Sequence, residues 1–189
     1  MRISPDCKLQ KLTNGSTHGS TRCAQLDCNE GSPVVVATNG HALAVVAVTT
    51  DDGETITDGP IATGSIVASQ KKPAHGNIQL HDENGIRETV VATASGTERA
   101  DRNGYPDFPQ WRKVIAGAKD AGSMRHPIAV ESISLSPRLL LDLALALGAA
   151  GTAKSPKGVT LTFYGDSSAI LVESTTSGNY GVIMPTVRV

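Results

Sequence analysis

The stretch from Val34 to Val48 constrains this chain more than any other. Val34-Val35-Val36-Ala37-Thr38 and His41-Ala42-Leu43-Ala44-Val45-Val46-Ala47-Val48 are two β-forming runs separated by Asn39-Gly40. Asn-Gly between two such runs is the strongest short-range signal for a hairpin, because both residues accept the positive φ that a tight, right-twisted turn requires. A sheet must therefore lie near the centre of the fold. Its core is aliphatic, since aromatic residues make up only 3% of the chain while apolar residues reach 39%.

The rest of the chain reads as similar units around that hairpin. Residues 1–33 are polar, with a strand alternating around Cys23, Gln25 and Asp27 and no helical periodicity. A second unit begins near Ile56, with a strand end and short helix between Ile61 and Gln70, stopped by Lys71-Lys72-Pro73. Strands follow at Ile78–Leu80, Thr89–Thr93 and Thr97–Ala100, then a turn-rich stretch leading into Trp111–Ile115. The third unit has an alternating strand from Ile128 to Ile133 and a helix capped by Ser136 with Pro137 at its first position. Leu139, Leu140, Leu143 and Leu147 follow helical spacing, and strands at Val159–Phe163, Ala169–Val172 and Tyr180–Met184 complete it. The reading is an α+β fold of antiparallel sheets with few short helices, built from about three β-α-β-β-β-type units, the first lacking its helix.

Several function classes are disfavoured. Lys+Arg 17 against Asp+Glu 18 leaves a net charge of −1, not the basic excess of a typical nucleic-acid binder. Cys7, Cys23 and Cys28 form no CxxC pair, and His18, His41, His75, His81 and His126 have no finger or HExxH spacing, so reduced thiols and no metal are expected. Asp51 and Asp52 are adjacent and would point apart on a strand. No nucleophile elbow or phosphate-cradling loop occurs. The expectation is a non-enzymatic protein without a cofactor. No apolar run reaches the ~18 residues of a membrane span, and Met1–Asp6 lacks the apolar stretch of a signal peptide, so a cytoplasmic setting is expected.

Three segments carry a resemblance to one family. Val36-Ala37-Thr38-Asn39-Gly40-His41-Ala42-Leu43-Ala44 resembles the ATDGHRLA signature of the bacterial sliding clamp, the beta subunit of DNA polymerase III. Phe108-Pro109-Gln110-Trp111-Arg112-Lys113-Val114-Ile115 resembles that family's FPDYRRVLP, and Tyr180–Val189 resembles its terminal YVVMPMRL. The three occur in family order. Within them Asn39 stands for Asp, Ala42 for Arg, Gln110 for Asp and Ala116 for Pro, and one residue more follows Pro185. The resemblance implies a shortened clamp: residues 1–116 like the middle domain (two units), 117–126 a linker, and 127–189 like half of the last domain.

The resemblance also implies a hydrophobic groove for short linear motifs of DNA polymerase, clamp loader or repair proteins. Carried over position by position, its wall is Thr38, Gly40, His41 and Leu43, then Pro109, Lys113 and Val114, then Val182, Ile183, Met184 and Pro185. Apolar side chains suit a Leu or Phe anchor, and a methionine adapts to differing partners. Encirclement of double-stranded DNA by a homo-oligomer is the second implied property. Lys71, Lys72, Arg138, Lys154 and Lys157 are its candidate contacts, meeting phosphates without reading bases. Taken alone, Asn39-Gly40 is a hairpin turn, His41 a structural hydrogen bonder and the lysines solvated. A non-ring adaptor or decoy that binds clamp partners without DNA, or a structural protein reusing the fold, are the alternatives.

Overall fold

The computed structural model describes residues 1–13, 21–29, 31–71, 76–83, 86–93, 96–105, 107–124, 133–151, 155–165 and 168–186, with side chains omitted for 119–124. Strands β1 (Arg2–Ile3), β2 (Cys23–Asp27), β3 (Val34–Thr38), β4 (Ala42–Thr49) and β5 (Gly59–Ala62) come from the first part of the chain. Helix α1 (Gln10–Thr13) lies among them and α2 (Thr63–Ser69) follows them. Strands β6 (Asn77–Glu83), β7 (Ile86–Thr93) and β8 (Gly96–Asp101) come next, then helices α3 (Trp111–Met124) and α4 (Pro137–Ala146). Strands β9 (Val159–Thr162), β10 (Ile170–Ser174) and β11 (Tyr180–Ile183) end the described fold.

Among the described residues the strands form two antiparallel sheets. The larger runs β5-β2-β3-β4-β11-β10-β9, with β1 also pairing on β4; the smaller is β6-β7-β8. The join between the first and third units is the β4–β11 ladder, in which Leu43 opposes Val182 and Ala42 opposes Ile183. The two units therefore share one sheet.

The continuous apolar run of β3 and β4 follows from cover on both faces. Val35, Ala37, Ala42, Ala44, Val46 and Ile183 point into the main core, with Leu12, Ile66, Leu143 and Leu147 of the α1, α2 and α4 regions. Val36, Leu43, Val45 and Val182 point the other way, into a second core beneath α3 with Ile115, Ala118 and Leu171. Alternation with period two thus sorts one strand's side chains between two cores.

Local signals explain several elements. Ser136 caps α4 by accepting from the Leu139 N–H at 3.4 Å, Pro137 occupies its first turn, and Gly148 follows its C-cap with φ 69°. Asn39 closes the β3–β4 turn, its Oδ1 accepting from the N–H groups of His41 (3.0 Å) and Ala42 (2.9 Å), while Gly40 has φ 89°.

Three expectations need correction or fall outside the description. The first unit has a helix, the single turn α1, whose Leu12 is fully buried; four residues are too few to produce a periodic pattern. The stretch 117–126, read as a linker, is helical through Met124. Its Ala and Gly content reads as loop, but burial of Ile115 and Ala118 on the sheet decides otherwise. The strand expected at 128–133 lies outside the described residues apart from Ile133.

Candidate functional site

The turn segment and the tail segment meet through backbone. Beyond the β4–β11 ladder, the Met184 N–H donates to the His41 carbonyl at 3.0 Å, and the Thr186 N–H and hydroxyl both donate to the Ser134 carbonyl at 2.9 Å. His41, Met184 and Pro185 thereby come to one corner of the sheet. Gly40 and His41 are exposed, Met184 is 42% exposed, and Pro185 is half-buried.

Helix α3 brings the middle segment onto the same sheet face. Trp111, Ile115 and Ala118, spaced i, i+4 and i+7, are its buried stripe, which packs on Leu43, Val182, Tyr164 and Leu171. Val114, 43% exposed, sits at the stripe's margin, and Lys113 points to solvent. The start of the helix is fixed by Asp27, a carboxylate at the end of β2. It accepts from Trp111 Nε1 at 3.0 Å and from Arg112 Nη2 at 2.7 Å. The Arg112 guanidinium also lies 4.9 Å from the Trp111 ring centroid, a cation–π contact. Burial pushes the nearby Tyr180 phenol above its usual range, and the positive charge of Arg112 opposes that shift.

The expected wall residues are thus divided. Gly40, His41, Lys113, Val114, Met184 and Pro185 are accessible, whereas Leu43 (4%) and Val182 (3%) form a floor covered by α3. Thr38 is buried, and its hydroxyl serves the turn, donating to the Ala42 carbonyl at 2.8 Å and accepting from the Gly40 N–H at 3.1 Å. Ile183 is not part of the wall: it lies on the opposite side of β11, fully buried in the main core, because neighbours on a strand face opposite ways. Pro109 lines another depression, a cleft of about 500 Å³ with Gln25, Asp27, Pro60, Phe108 and Trp111.

The cations expected to face DNA are less free than the sequence suggests. Lys71 pairs with Glu98 at 3.4 Å, Arg138 with Asp142 at 2.9 Å across one helical turn, and Lys157 with Asp6 at 2.7 Å. Lys72 and Lys154 lie outside the described residues. Sequence reasoning missed Asp27; an isolated carboxylate closing a mostly buried strand was the available signal. It missed Tyr164 too, a floor residue with no motif around it. Among the described residues no group of three His, Cys, Asp or Glu is placed to hold a metal ion, and no helix is long and apolar enough to cross a membrane.

No protein-family model matches the chain, and a search of curated proteins finds no match. Solved structures do match. The DNA polymerase sliding clamp of Caulobacter crescentus is similar at TM-score 0.65 and 16% identity, over 100% of this chain and 65% of that one. The DNA polymerase III beta subunit of Thermotoga maritima gives TM-score 0.61 and 12% identity over 96% and 63%. The Helicobacter pylori beta clamp, solved bound to a DNA ligase peptide, gives 0.57 and 14% over 95% and 62%. The chain spans less than two thirds of the length of these clamps. The architecture is of the DNA-clamp class, antiparallel sheets carrying short helices. More narrowly, it is a shortened form of the fold of the bacterial DNA polymerase III beta sliding clamp.

Proposed function

We propose that this chain is a non-enzymatic, sliding-clamp-like processivity factor of DNA replication or repair. It binds short linear motifs of a DNA polymerase, clamp loader or repair protein at the corner formed by Gly40, His41, Val114, Met184 and Pro185. The division into a middle-domain-like part, residues 1–116, and a half-domain-like part, residues 127–189, belongs to the same reading, as does closure of a ring around double-stranded DNA by several copies. The observation that carries it is the β4–β11 ladder, which joins the turn segment to the tail and leaves Met184 exposed beside His41. An exposed methionine next to a polar ring suits an anchor side chain flanked by hydrogen-bonding backbone.

The DNA ligase peptide seen with the Helicobacter pylori clamp is a ready probe. Titrating it should change the emission of Trp111, the one tryptophan of the chain, and Met184→Lys should abolish that change. Absence of binding at millimolar peptide would refute the groove.

A second reading is a non-ring adaptor or decoy that engages the same partners without DNA. It is favoured by the carboxylate pairing of Lys71, Arg138 and Lys157, since neutralised cations release few counterions from phosphate. Solution mass with and without circular DNA separates the two readings. A monomer that ignores DNA supports the adaptor, and a DNA-dependent oligomer supports the ring.

A further inference from the structure

The apolar floor that a motif's anchor would need is already filled. Leu43 and Val182, paired across β4 and β11, are 4% and 3% exposed and belong to one buried cluster with Ile115 and Ala118 of α3, Tyr164 and Leu171, α3 packing on β10 and β11. An amphipathic helix laid apolar face down on a sheet is itself a recognition mode used between proteins. Here the helix belongs to the chain.

Helix α3 is tied to the sheet by polar contacts at its start, and among the described side chains beyond its first turn it is held by the apolar packing of Ile115 and Ala118. Its first turn is tied to Asp27 through Trp111 and Arg112. Past that turn, Gly117 sits exposed within the helix, and neither an acidic residue in the first turn nor a basic one in the last supports the helix dipole. A 14-residue helix of this composition depends on its packed stripe rather than on its own propensity.

We infer that α3 is a self-ligand: it occupies the floor in the resting state, and partner motifs gain the Leu43–Val182 surface only by displacing its Ile115–Ala118 segment, with the Asp27 tie as the hinge. This rests on the peptide-groove reading. The Gly40–His41–Met184 corner is the accessible landing point, and affinity is reduced by the fraction of molecules in which the helix stays down.

Gly117 allows a test that substitutes no residue of the Gly40–His41–Met184 corner. It is exposed, and a Cβ there would meet nothing within 4 Å, so Gly117→Ala alters little except helix stability, by an amount that converts to about fivefold. Gly117→Pro breaks the helix beyond its first turn. With the labelled DNA ligase peptide named above, Gly117→Ala should bind about fivefold more weakly than the unmodified chain and Gly117→Pro at least tenfold more tightly. Equal affinity in all three overturns the self-ligand and leaves the groove standing. No binding by any of them overturns the groove reading, and the self-ligand with it. Should Gly117→Pro fail to fold, as its circular dichroism would reveal, the Gly117→Ala shift decides alone.

Discussion

Leu43 and Val182 stand directly opposite each other in the β4–β11 ladder, on the face covered by α3. This pair ties the hairpin near the start of the chain to the strand near its end, and it sets where the candidate site lies.

Beside that pair, Gly181 is a position where no side chain fits. A Cβ there would fall 2.1 Å from the Leu43 carbonyl oxygen and 3.1 Å from Leu143 Cδ1. Gly181→Ala must push β11 off β4 or shift α4, and a cost of about 3 kcal/mol is expected. Urea unfolding should show the midpoint fall, and peptide binding should weaken in parallel as the tail leaves the turn.

Asp27 joins β2 to the start of α3 through two donors, Trp111 Nε1 and Arg112 Nη2. Asp27→Ala leaves the indole N–H without its partner and is expected to cost about 2 kcal/mol, with a shift in Trp111 emission. Asp27→Asn keeps an acceptor for the indole and gives up the ion pair, so it should cost less. Equal losses in the two variants would mean that the ion pair carries the whole effect.

The thiols give a pH signature. Burial raises Cys7, Cys23 and Cys28 from 9.0 to about 11, with Asp58 and Asp27 adding to the shift at Cys28. The folded state thus holds these protons more tightly than the unfolded chain does. Their contribution to stability is complete below pH 9 and disappears as pH rises from about 9 to about 11. Reaction with a disulfide reagent at pH 8 should be slow for all three cysteines and become fast on unfolding, since the thiolate is the reactive form. Alkaline titration should show stability falling across the same window.

For DNA, the paired cations make a distinguishing case. Asp6→Asn, Glu98→Gln and Asp142→Asn together would release Lys157, Lys71 and Arg138 from their partners. In a ring around duplex DNA this variant should steepen the log–log salt dependence of binding by about 2.7, at roughly 0.9 per phosphate contact. An unchanged slope would favour the adaptor.

What could be read from the sequence was the part governed by neighbours in the chain. Asn39-Gly40 marked its turn, and Ser136-Pro137 marked the start of α4, because caps and turns are decided within a few residues. The partnership of β4 with β11 was not legible, since no local rule says which distant strand will pair. The length of α3 was hidden for a related reason: Ala116-Gly117-Ala118 has no preference strong enough to announce a helix, and the floor formed by Leu43 and Val182 supplies the stabilisation. At the candidate site, the resemblance named adjacent residues together, as with Val182 and Ile183, whereas the strand sends one to each core. Asp27 stayed out of view because a carboxylate becomes an anchor only when a distant indole and guanidinium meet it.

The most direct test of a peptide site at the His41–Met184 corner is a methyl spectrum of the protein labelled on its methionines. There are three, Met1, Met124 and Met184. Met1 is buried at 1% exposure in the main core, and Met184 is 42% exposed at the corner. Adding the DNA ligase peptide should move the Met184 methyl signal in a saturable way while Met1 stays in place. A Met184 signal that does not move at millimolar peptide would contradict the assignment of this corner as the motif-binding site.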